Sequence, residues 1–116
     1  MKYLMQVVAI ISITFCLNCD DPVQIIQHEP VIQSIALDRT IVYVKEFVNV
    51  AVTASDADDD KLLYTWSSAS GKFTNKNNAS TQWQAPAAAD TAILTIDVSD
   101  GTFTVSGQKT VIVKAL

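Results

Sequence analysis

From residue 31 onward, apolar and polar positions alternate in short runs, each closed by a turn signal. Phe47–Ala54 is the clearest case. Val48, Val50, Val52 and Ala54 interleave with Asn49 and Thr53. Period two over that length predicts a strand with one buried and one wet face. Val31–Leu37 places Val31, Ile35 and Leu37 on one face, and Ile41–Val44 is expected to continue that edge after the polar kink Asp38-Arg39-Thr40. Leu62–Ser67 turns Leu62, Tyr64 and Trp66 inward and Leu63, Thr65 and Ser67 outward. Thr81–Ala85 centres on Trp83, flanked by Gln82 and Gln84. Ala92–Ser99 alternates Leu94, Ile96 and Val98 with Thr95, Asp97 and Ser99. The last segment carries Phe103 and Val105, then Gly107 as an expected bulge or bend, then Val111 and Val113 inward with Lys114 outward. No part of this region has a helical period. About seven short antiparallel strands with polar turns predict an all-β sandwich over residues 31–116.

The first residues follow a different pattern. Met1-Lys2-Tyr3 carries one positive charge, and Leu4 to Leu17 is a nearly unbroken apolar run. A bilayer span needs about 20 such residues, so the run fits the apolar region of a secretory signal peptide, here residues 1–18. Residues 19–30 hold Pro22, Pro30 and the one histidine, His28, without periodicity, and predict a solvated tether. The stretch Phe15-Cys16-Leu17-Asn18-Cys19-Asp20-Asp21 resembles a bacterial lipoprotein signal ending in a lipobox, as found in lipoproteins of the Bacteroidetes group. The resemblance implies cleavage before Cys19 and acylation of that residue. Several acyl chains hold a protein stably at a membrane, each buried CH₂ contributing about 0.8 kcal/mol. Acidic residues after the cysteine, here Asp20 and Asp21, resemble a surface-export signal in that group and an inner-membrane retention signal in enterobacteria. Both readings stay open, and the expected location is the outer membrane or cell surface.

A second resemblance covers roughly residues 31–115. Ala54-Ser55-Asp56-Ala57-Asp58-Asp59-Asp60-Lys61-Leu62-Leu63-Tyr64-Thr65-Trp66 resembles the B–C segment of PKD-type and related bacterial immunoglobulin-like domains, an Asp-rich turn followed by Leu-x-Tyr-x-Trp. Gly71-Lys72-Phe73, Thr81-Gln82-Trp83-Gln84-Ala85-Pro86 and Leu94-Thr95-Ile96-Asp97-Val98-Ser99-Asp100-Gly101 are similar to later strands of the same family. The resemblance implies an immunoglobulin-like (PKD/cadherin-like) antiparallel sandwich with Tyr64, Trp66 and Trp83 as core markers. It implies no particular activity, because this fold hosts many roles.

Charge and composition narrow the chemistry. The chain of 116 residues has a formal net charge of −4. No basic run occurs, so the electrostatic footprint of a nucleic-acid binder is absent. Both cysteines, Cys16 and Cys19, lie in or beside the leader, so the sandwich has no disulfide, thiol nucleophile or cysteine zinc site. With no histidine in residues 31–116 and no paired acids aimed at one cleft, a non-catalytic module is expected.

The acidic turn Asp56, Asp58, Asp59, Asp60 is the candidate site. Four carboxylates this close repel one another, and a hard cation such as calcium relieves that. An EF-hand is excluded, because Lys61 stands where glycine is needed and Ser67 where the bidentate Glu is needed. The alternative is a solvated turn whose Asp side chains serve local backbone hydrogen bonds. Asp100 is expected at the opposite end of the sandwich. Trp66 and Trp83 fall on inward phases, which favours core packing over a sugar-stacking platform. Phe47 and Tyr43 are the expected exposed aromatics. Asp90-Thr91-Ala92 resembles a short O-glycosylation motif of Bacteroidetes secreted proteins, which makes Thr91 the acceptor.

The leading expectation is a cell-envelope lipoprotein whose domain serves as an adhesion, partner-binding or spacer module, with a protein or glycan ligand. The alternatives are a carbohydrate-binding accessory lipoprotein of a polysaccharide-uptake system and a calcium-stabilised spacer.

Overall fold

The computed structural model describes residues 27–116. The expected signal peptide and Cys19 lie outside the described residues. Eight strands follow one another: β1 (Val31–Leu37), β2 (Ile41–Tyr43), β3 (Phe47–Ser55), β4 (Leu63–Ser68), β5 (Lys72–Phe73), β6 (Ser80–Gln84), β7 (Asp90–Ser99) and β8 (Thr104–Lys114). No helix occurs among the described residues. One sheet has the order β1-β3-β6-β5 and the other β2-β8-β7-β4. All pairings are antiparallel except β2 with β8, which is parallel. Lettered along the chain with a divided first strand, this is the ABED and CFG arrangement of an immunoglobulin-type sandwich.

The core lies between the sheets. From the first sheet come Val48, Val50 and Val52 of β3 and Trp83 of β6, and from the second Val42, Trp66, Leu94, Ile96, Val98, Val111 and Val113, all buried. Trp66 stacks on Phe73 of the facing sheet, with ring centroids 5.7 Å apart. Each indole buries about 150–250 Å², a gross gain of about 4–6 kcal/mol. Each also finds an acceptor for its N–H. Trp66 Nε1 donates to the Asn78 carbonyl at 2.8 Å, and Trp83 Nε1 reaches Ser68 Oγ and the Ser70 carbonyl, both at 3.1 Å. Gly71 makes the second arrangement feasible. Its φ is +74°, and a Cβ there would lie 2.5 Å from both the Trp83 ring and the Gln84 carbonyl oxygen.

Strand β4 is an edge, and edges invite unwanted pairing. The loop between β5 and β6 covers it. The Trp66 backbone N–H donates to the Lys76 carbonyl at 2.8 Å, and the Asn77 side-chain amide donates to the Tyr64 carbonyl at 3.1 Å.

Three expectations are corrected. The first strand does not continue along one edge. Across Asp38–Thr40 the chain leaves one sheet and enters the other, where β2 pairs with the end of β8. Val31 is 55% exposed, because a register shift between Ile32 and Ser34 changes the phase of β1 and turns Ile32 to the core in its place. Gly107 is no bulge. It pairs in regular register with Ile96 on the inward face, and a Cβ there would stand 2.6 Å from Ile35 Cδ1. The missing side chain gives Ile35 its room.

Candidate metal-binding site at the acidic end

The alternation that builds the core runs one step beyond it. On β3 the inward positions are Val48, Val50, Val52 and Ala54, and the next in phase is Asp56. On β7 they are Leu94, Ile96 and Val98, and the next is Asp100. Two carboxylates, one from each sheet, thus cap the same end of the hydrophobic layer. The expectation that Asp100 lies at the far end is overturned. Strands β4 and β7 are antiparallel and Leu63 pairs with Ser99, so the turn before β4 and the hairpin after β7 share an end.

Both carboxylates are half satisfied. Asp56 Oδ1 accepts the Asp58 backbone N–H at 2.8 Å, an Asx-turn that folds the acidic segment back on itself. Asp100 Oδ1 accepts the N–H groups of Thr102 and Phe103 at 2.8 and 2.7 Å. The second oxygen of each, Asp56 Oδ2 and Asp100 Oδ2, is buried without a hydrogen-bond donor. Asp56 as a residue is only 9% exposed. A carboxylate cannot donate to its neighbour, so these oxygens need a proton or a cation. A buried carboxylate left without either is costly.

Asp56, Asp58 and Asp60 bring one carboxylate oxygen each within 4.8 Å of the others. Spacing of two residues in a tight turn puts all three on one side. Asp59 is not part of this cluster. It occupies the left-handed region with φ 58°, where its N–H closes the turn on the Asp56 carbonyl at 3.0 Å. Burial, and then the negative charges of Asp56, Asp58, Asp100 and Asp59, hold the Asp60 carboxyl above its ordinary 3.8. Hydrogen bonds from the Phe103 and Thr102 backbone hold Asp100 below it. Asp58 is lowered chiefly by the backbone N–H of His28 and then by its ring.

His28 joins the site from a distant part of the sequence. Its N–H donates to Asp58 Oδ2 at 2.7 Å and its Nδ1 meets Asp58 Oδ1 at 2.9 Å. The end of the expected tether is therefore fastened to the acidic turn. Sequence reasoning left His28 as a solvated residue, and no local pattern marks a contact thirty residues away.

The donor set suits a hard divalent cation. Calcium takes six to eight oxygens at about 2.3–2.6 Å, often from carboxylates and main-chain carbonyls on a loop. Asp56, Asp58 and Asp60 supply the cluster, and Asp100 adds a further negative oxygen beside it.

The remaining singled-out residues lie apart. Trp66 and Trp83 are 1% and 0% exposed, and Tyr64 is half-buried between the sheets. Tyr43 and Phe47 are exposed at the opposite end. Thr91 is exposed near the start of β7, its N–H bonded to Asp90 Oδ1 at 2.8 Å.

No family model matches the chain, and no curated protein matches it. Among solved structures, it is similar to a nucleoside hydrolase-related hypothetical protein from Saccharophagus degradans that is associated with carbohydrate metabolism, with a TM-score of 0.56 and 19% identity. The likeness covers 78% of this chain and 26% of that one, so the chain spans about a quarter of that protein's length. At that identity the likeness is one of fold. A chimeric titin Z1Z2 functionalised with a KLER exogenous peptide from decorin aligns with a TM-score of 0.49 and 10% identity, over 79% of this chain and all of that one. Fold and site together define a β-sandwich of immunoglobulin type with an acidic cluster that could hold a metal ion at its N-terminal end.

Proposed function

We propose that the protein is a non-catalytic lipoprotein of a bacterial cell envelope, held to the membrane through Cys19, whose PKD-like domain is an adhesion or partner-binding module stabilised by calcium at Asp56, Asp58 and Asp60. The observation that carries this reading is the polarity of the sandwich from end to end. The chain enters β1 at the acidic end, where Val31 pairs with Ser55. The opposite end then lies farthest from the point where the chain enters the sandwich. There Ile41, Tyr43 and Ile112 are 43–54% exposed on the outer face of the second sheet, and Ile41 sits directly beside Ile112 in the β2–β8 pair. Exposed apolar side chains gathered at one place suit contact with a protein partner. The glycan-capture alternative is less well supported, because the two tryptophans it would use for stacking are in the core.

Protease treatment of intact cells tests the reading. Tagged wild-type protein is expected to be shaved from the surface, and Cys19→Ala to be released into the medium. Wild-type protein that resists until the outer membrane is broken would move the module to the periplasm and remove the adhesion role.

A further inference from the structure

Asp58 is shared between two structures that the sequence keeps apart. One carboxylate oxygen of Asp58 belongs to the cluster with Asp56 and Asp60. Both of its oxygens also meet His28, one through the backbone N–H and one through the ring. A carboxylate oxygen has lone pairs enough to accept an N–H and bind a cation together. We infer that cation binding and tether docking are coupled through Asp58, so that calcium at the acidic end fixes residues 28–30 against the domain where the chain enters β1. The inference rests on the calcium reading and adds to it a mechanical output.

Two buried oxygens support the coupling, one inside the acidic cluster and one beside it. Asp56 is more than nine-tenths buried, and its Oδ2 has no donor; Asp100 Oδ2, from a different hairpin, is equally without one. These oxygens give the cation a reason to sit deep, at the end of the core. His28 then acts from outside as a second layer. Its two bonds hold the Asp58 carboxylate in one orientation, as outer partners commonly do for metal ligands. Facing a carboxylate oxygen, the ring Nδ1 must carry a hydrogen, as it does in the cation and in the Nδ1–H tautomer of the neutral ring. By linkage, whatever tightens calcium through His28 must also tighten His28 through calcium. His28 is a positioning residue in this scheme and touches no metal.

The test is calcium titration of the full chain in detergent micelles, with hydrogen exchange followed at the His28 amide. Wild-type protein is expected to bind calcium with an affinity near the 10⁻⁴–10⁻³ M range of extracellular modules. Saturation is expected to slow exchange of the His28 N–H several-fold. His28→Ala, whose side chain is half exposed, is expected to leave the fold intact and weaken calcium about tenfold. The direction is diagnostic, since a histidine that merely added positive charge near the cation would tighten binding when removed. Unchanged affinity in His28→Ala together with unchanged His28 exchange would sink the coupling and leave the calcium site standing. No binding by the wild type at several times 10⁻³ M would remove the site and the coupling together.

Discussion

The middle of the sandwich and its acidic end are built by the same alternation and reach opposite results. Between the sheets, Val48, Val50 and Val52 face Leu94, Ile96 and Val98, and the two indole N–H groups there both have acceptors. One step further along the same two strands, Asp56 and Asp100 occupy the inward phase, and each keeps a buried oxygen without a donor. The interior is complete as a folded chain. The end lacks that closure among the described residues. A period-two pattern therefore specifies where a side chain points, and the residue type at the last inward position decides whether that end closes or leaves a buried oxygen unpaired.

The comparison breaks most severely at Gly71. Gly71→Ala puts a methyl group at 2.5 Å from Trp83 and forces φ +74° on a residue with a Cβ. Overpacking and backbone strain together predict a loss of about 2–4 kcal/mol, measured by urea unfolding, with no dependence on calcium. The acidic end behaves otherwise. In Asp56→Asn the Oδ1 that accepts from Asp58 is kept, while an amide replaces the orphaned oxygen and offers a donor to its acidic neighbours. With a chelator present this variant is expected to melt above the wild type, by an amount corresponding to about 1 kcal/mol. With calcium at a hundredfold its dissociation constant, the wild type gains about 2.7 kcal/mol that the variant lacks, so the order reverses. An unchanged order of melting temperatures would mean that no cation uses Asp56.

The smallest effect is on acid stability. Asp60 is held above 3.8, so its folded form takes up a proton before the unfolded chain does, and falling pH relieves its strain on the fold. Asp58 and Asp100 are held below that value, so their contribution is present above 3.8 and is lost as pH falls through their folded pKa values. Without calcium, the urea midpoint is expected to rise slightly on mild acidification and then fall below pH 3.8. With calcium the rise should vanish, because protonating Asp60 removes a ligand. A rise of equal size with and without calcium would place Asp60 outside the site.

Much of this architecture is legible in the residues. The alternation of β3, β4, β6 and β7 is strict, and each of these strands has one face in the core, so pattern and structure coincide. The pattern misleads where a strand is irregular or short. Val31 and Ile32 exchange roles because one register shift in β1 reverses the phase, and nothing in VIQSIAL announces it. Strand β5 has two residues, too few to show any period. The acidic turn is visible as a run of Asp, whereas its partners are not. Asp100 joins it only because β4 and β7 are antiparallel neighbours, and His28 only because the chain enters the sandwich at that end. One signal was available. Continuing the inward phase of Leu94, Ile96 and Val98 by two residues lands on Asp100, as the same step from Ala54 lands on Asp56.

The divided first strand has a mechanical consequence. Strand β1 is hydrogen-bonded into one sheet and β2 into the other, with only Asp38–Thr40 between them. A load applied along the chain from its N-terminal side reaches β1 first, where it acts along the strand and shears the whole β1–β3 ladder at once. If β1 gives way, the load passes to β2, whose parallel bonds to β8 again lie across the pull. The two ladders act in series as catches, one per sheet. In a domain with no cysteine among its described residues to rivet the layers together, this short crossing is one of five places where the chain itself ties one sheet to the other.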